Sequence, residues 1–154
     1  MNFPGAQITR ELEQCDAAFT ELSTSEHARH VERWVRAYED FYSADRRRLK
    51  GGRAIEEAQR LNNGIFLLVP CRDPSFTGWS PVGTAYLCRS DRLPDLTQAS
   101  HFVDAFISPE DFSWTLLYGH EVDVFGGPEF SRADWGIRTS IELVQKREWS
   151  RGKA

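Results

Sequence analysis

The sequence predicts an α+β fold: N-terminal helices packed on one face of a roughly four-stranded antiparallel sheet, with a C-terminal helix. Two observations carry this. Apolar residues recur at spacings of three and four through the first part of the chain, then give way to short continuous apolar runs between residues 65 and 120. Short, turn-rich connections join the last of these runs, which favours antiparallel pairing.

The elements follow in order. In "QITRELEQCDAAFTEL", residues 7–22, Ile8, Leu12, Cys15, Phe19 and Leu22 fall on one side of a helix. "STSE" restarts the chain, because Ser23 and Glu26 have the spacing of a capping box. The second helix carries the strongest periodicity, with Val31, Trp34, Val35, Tyr38, Phe41 and Tyr42 in one apolar stripe. "LKGGR" breaks it, since paired glycines are poor helix interior. A short third helix near residues 53–61 places Ala54, Ile55, Ala58 and Leu61 together, and "NNG" ends it.

Strands are expected at "IFLLVPC" (65–71), "VGTAYLC" (82–88), "HFVDAFI" (101–107) and "FSWTLLYGH" (112–120). "SPED" between the last two has Ser and Pro at the first two positions of a type I turn, so 101–120 reads as a hairpin. On a regular strand Phe112, Trp114, Leu116 and Tyr118 share a side with His120. Both sides are apolar, so the pattern does not choose the buried face. Ser131 and Asp134 are spaced to start a terminal helix containing Ile141, Leu143, Val144 and Trp149.

A chain of 154 residues, 40% apolar and 27% charged, fits a single globular domain over 1–154. The three cysteines, Cys15, Cys71 and Cys88, are odd in number and form no CxxC pair. That argues against a disulfide framework or zinc knuckle and predicts buried free thiols in a reducing compartment. The N-terminus lacks a basic start followed by an apolar segment, and no apolar stretch approaches the ~20 residues of a membrane helix. A soluble cytoplasmic protein without membrane association is expected.

The net charge of −4 does not favour nucleic acid. Its distribution says more. Eight acidic residues lie between 91 and 129, where Arg92 is the only Arg or Lys. By contrast, Arg46, Arg47, Arg48, Lys50 and Arg53 crowd into eight positions.

His120 could serve as a general base at a strand end, but its neighbour Glu121 points to the opposite face, so a dyad is poorly placed. Neither His120, Glu121 and Asp123 with His101, nor His27 with His30, has a recognised metal-ligand spacing. Solvated histidines are the expectation for His27 and His30. There is no GxSxG and no Walker loop. No catalytic residue, metal or cofactor is therefore assigned. Loop aromatics such as Trp79, Phe125 and Phe130 could act as binding anchors. The carboxylates Asp104, Glu110, Asp111, Glu121, Asp123 and Glu129 are expected on turns and strand ends. With Trp79 and Phe125 they suit a basic partner.

The stretch "DAFISPEDFSWTLLYGHE…FGGPEFSRADW" resembles a group of small bacterial proteins with a similar closing segment. The matching positions are Asp111 to Thr115, His120-Glu121, Gly127-Pro128 and Phe130. The resemblance brings no activity with it. Small acidic cytoplasmic bacterial domains include immunity proteins that neutralise toxins. The leading expectation is accordingly a non-enzymatic immunity or antitoxin-like inhibitor that binds a basic protein partner, such as a toxin domain, through an acidic, aromatic-flanked rim. One alternative is a small hydrolase using His120 with a carboxylate. The other is a nucleic-acid-associated protein using Arg46 to Arg53.

Overall fold

The computed structural model describes residues 5–72, 81–98, 104–119 and 126–136. Among them are three α-helices, α1 (Gly5–Gln14), α2 (Thr24–Tyr38) and α3 (Gly52–Leu61). They contain seven strands: β1 (Ala18–Glu21), β2 (Leu49–Lys50), β3 (Ile65–Cys71), β4 (Tyr86–Arg89), β5 (Asp104–Ser108), β6 (Trp114–Tyr118) and β7 (Glu129–Arg132). All seven form one sheet in the order β1-β4-β3-β5-β6-β7-β2, and every pairing is antiparallel. The α+β class holds, with more strands than the four expected.

The three additional strands, β1, β2 and β7, are two to four residues long and flank the four apolar runs. Their register comes from neighbouring backbone rather than from a periodic apolar pattern. The first helix is shorter than its apolar spacing implied. Asp16 adopts φ 56°, and the Asp16 and Ala17 amides bond the Glu13 and Leu12 carbonyls. These are the paired bonds of a Schellman stop, with Asp in the left-handed position usually taken by glycine. Phe19 therefore lies on a strand, where it meets Tyr86 edge-on. At the other end, Ser131 belongs to β7, which leads into a 3-10 turn at Ala133–Trp135. The expected terminal helix otherwise lies outside the described residues.

The helices cover both faces of the sheet, not one. Ile8 and Leu12 of α1 and Ala54 and Ala58 of α3 pack with Phe66, Leu68, Ile107, Leu116 and Phe130. Val31, Trp34 and Tyr38 of α2 pack on the opposite side with Leu67, Val69, Phe106 and Leu117. The cause is in the central strands, where odd and even positions are both apolar, so each face must be shielded from water. Topology supplies the covers. β1 and β2 sit at opposite edges, so the connection carrying α2 spans one face, and the segment carrying α3 returns to β3 over the other.

Helix α2 begins as expected. Ser23 Oγ accepts the Glu26 amide at 3.2 Å while Glu26 accepts the Ser23 amide at 3.2 Å. The β5–β6 connection does not follow the expected turn. Ser108 stays in the ladder opposite Leu67, and the turn runs from Pro109 to Phe112, closed by a 3.0 Å amide–carbonyl bond between them. Phe112 has φ 57°. That conformation detaches it from the Trp114, Leu116 and Tyr118 side and sends it into the α2 face. All three cysteines are buried and free. Burial raises the thiol pKa of Cys15 and pushes that of Cys88 up to about 12, so neither is a ready nucleophile. No helix among the described residues is long and apolar enough to cross a membrane.

Candidate functional site

The turn at residues 109–113 caps one end of the sheet between the two helical layers. On one side Phe112 enters the α2 cluster, and on the other Trp114 enters the α1/α3 cluster. At its tip, Glu110 and Asp111 are exposed. Asp111 Oδ1 accepts the Ser113 amide at 3.0 Å, and hydrogen bonding from Ser113 lowers the Asp111 pKa below the usual carboxylate range. Asp111 is therefore charged at neutral pH.

Helix α2 holds the turn from beneath. Arg33 Nη2 donates to the Glu110 carbonyl at 2.9 Å, and its guanidinium lies 4.5 Å from the centre of the Phe112 ring. Tyr38 Oη donates to the Phe112 carbonyl at 2.7 Å. The His30 ring stacks on Phe112 with centroids 5.9 Å apart. A groove of about 340 Å³ opens on the far side of the turn. Leu61, Ile65, Pro109 and Trp114 supply its apolar lining, and Asn63, Glu110, Asp111 and Ser113 supply its polar edge. Two carboxylates on an anchored turn, beside an apolar lining, match a Lys or Arg side chain, which has an apolar stem and a cationic head.

Of the other expected rim residues, Asp104 and Glu129 do not join this surface. Asp104 is only 2% exposed and sits in the ladder opposite Cys71. Glu129 pairs with Arg48 at 2.9 Å on β7. Both stand at the start of their strands, β5 and β7, but pairing with neighbouring strands draws them inward. Trp79, Glu121, Asp123 and Phe125 lie outside the described residues, as do His101 and His120. The groove lining and the four contacts from α2 were not anticipated. Arg33 follows His30 by one helical turn, so their common face was legible, but their meeting with Phe112 depends on its unusual backbone.

The basic run is mainly structural. The Arg46 side chain is fully buried, paired with Asp40, and donates to Ser131 Oγ at 3.0 Å and the Arg132 carbonyl at 2.7 Å. Arg48 pairs with Glu129 and donates to the Phe41 and Ser43 carbonyls. Arg47 stacks 4.2 Å over Trp135. Phosphate binding through Arg46 or Arg48 would break these contacts.

His27 and His30 are buried, contrary to the expectation of solvated side chains. They fall on the inner face of α2 beside Val31 and Trp34, although the surrounding sequence is charged. His27 Nε2 lies 2.7 Å from the Pro70 carbonyl. Pro70 is in β3 beyond the part paired with β4, where its missing amide costs that ladder no bond. Among the described residues, no cluster of three or more His, Cys, Asp or Glu could hold a metal ion. Compared with protein-family models, curated proteins and solved structures, the chain shows no significant match to any.

Proposed function

We propose that the chain is a non-enzymatic binding protein that recognises a basic protein segment at the 109–113 turn. The observation that carries this reading is a pair of exposed carboxylates, Glu110 and Asp111, on a turn already fixed to α2 and bordering a groove lined by Leu61, Ile65 and Trp114. Prior fixation reduces the entropy lost on binding, and the acidic edge steers a cationic partner and selects against acidic ones. An immunity-type inhibitor of a basic toxin domain is the biological role we assign to such a surface. The burial of Arg46 and the pairing of Arg48 favour this over the nucleic-acid alternative.

The test uses Lys- and Arg-rich peptides on a sensor surface, with sequence-matched acidic peptides as controls. Wild type should bind the cationic peptides in a salt-dependent manner. In the double variant Glu110→Lys/Asp111→Lys, association at low salt should slow by about tenfold or more, with an unchanged melting temperature. An unchanged association rate would remove the 109–113 turn as the recognition surface. If a toxic partner is then identified, the variant should also lose rescue of cells from it.

A further inference from the structure

Phe112 occupies a backbone region that bulky residues rarely adopt, so its surroundings must hold it there. The ring lies against two residues of α2, His30 and Arg33. His30 is only 8% exposed, and its Nδ1 is buried with no hydrogen-bond partner among the described residues. A neutral imidazole tolerates this, because one ring nitrogen carries no proton. An imidazolium has two N–H donors, and one of them would be buried without an acceptor.

We propose that His30 is a proton-operated latch for the acidic turn: when it is neutral the turn lies closed on α2, and when it is protonated the Phe112 cover lifts to let water reach Nδ1. The charged groups facing His30 are divided in sign. On α2, Arg33 and Arg29 oppose the added proton and Glu26 favours it; from the turn, Glu110 favours it. Burial and the two guanidiniums prevail, holding the His30 pKa below its ordinary value. Once the ring contact opens, Phe112 loses part of what fixes its left-handed backbone, and Glu110 and Asp111 move with it. The latch belongs to the free chain and does not depend on the proposed binding role.

The experiment is an NMR titration of the full chain from about pH 8 to about pH 5, the range in which imidazoles change charge. The His30 ring protons and the amides of Glu110, Asp111, Phe112 and Ser113 should shift with a common midpoint, while the α3 amides stay in place. In His30→Phe, which keeps an aromatic ring beside Phe112 without a proton site, the turn shifts should shrink at least fivefold. His27→Gln serves as the control and should retain them. If the turn amides and the His30 ring have different midpoints in wild type, the latch is refuted, and this reading needs no variant to fold. It is equally refuted if the turn shifts persist in folded His30→Phe.

Discussion

The two faces of the sheet are built differently. The α1/α3 face is shielded by small and aliphatic helix residues, Ile8, Leu12, Ala54 and Ala58, packed on Phe66, Leu68 and Leu116. The α2 face combines aromatic packing with buried polar links. Trp34 Nε1 donates to Thr115 Oγ1 at 2.8 Å, and Ser108 Oγ donates to the same oxygen at 2.9 Å. Tyr38 reaches the Phe112 carbonyl and His27 the Pro70 carbonyl. Apolar packing rewards burial with little directional demand, whereas a buried hydrogen bond requires one register. The α2 face thus fixes where the β5–β6 hairpin and its acidic turn sit, while the opposite face mainly contributes buried area.

Three measurements test this contrast. The largest effect should come from Trp34→Ala, which removes both kinds of contribution at once. Trp34 is fully buried and stacks on Phe106 at 5.3 Å. Urea denaturation should show a loss of about 3–5 kcal/mol, a large share of the stability of a typical domain. An unchanged midpoint would mean that α2 does not hold the hairpin.

A sharper comparison uses adjacent residues of β6 that face opposite ways. Thr115→Val keeps the volume but removes the acceptor of the Trp34 indole, and should cost about 1–3 kcal/mol. Leu116→Ile, on the apolar face, should cost less than about 1.5 kcal/mol. Equal costs, or a reversed order, would show that the polar links add nothing specific to the α2 face.

The smallest effect should be a response to pH. Burial lowers the pKa of both His27 and His30 in the folded chain. With folded values below the unfolded value of about 6.5, the unfolded chain takes up protons first as pH falls. Stability should therefore be complete above that value and decline below it, towards the folded pKa values. Melting temperatures recorded between about pH 7.5 and pH 5 should fall in wild type and fall less in His27→Gln/His30→Phe. A wild-type melting temperature that holds constant across this interval would contradict the burial of these rings.

The fold was legible where periodicity and chain length agreed. The Ser23 cap, the Val31–Trp34–Tyr38 stripe, the third helix and the 65–71 strand all appear as read, because local preference and burial point the same way there. The misses have a common origin. Ala18–Glu21 and Glu129–Arg132 become strands through neighbours distant in sequence, and such pairing leaves little periodic trace in four residues. Asp16 and Phe112 take left-handed backbone without being glycine, which no residue-type preference announces. At the candidate site, Glu110 and Asp111 were legible as turn carboxylates. The burial of Asp104 and the pairing of Glu129 with Arg48 were not, because both depend on the sheet order.

The meeting of two glycine pairs bears on how the chain is completed during synthesis. Gly51 and Gly127 are about half the chain apart, yet a Cβ on Gly127 would lie 2.9 Å from Gly51 Cα, and one on Gly51 would lie 2.7 Å from the Gly126 carbonyl oxygen. The Gly51 amide donates to the Pro128 carbonyl at 2.9 Å, and β2 pairs only with β7 among the described strands. A nascent chain that has emerged through residue 119 already contains six of the seven described strands, but its β2 lacks the β7 partner. The β2 edge must therefore wait for the segment at 126–130 and then dock by close backbone approach, which a methyl group at either glycine would block. This places closure of the sheet late in translation, under the long-range loop entropy that slows such contacts.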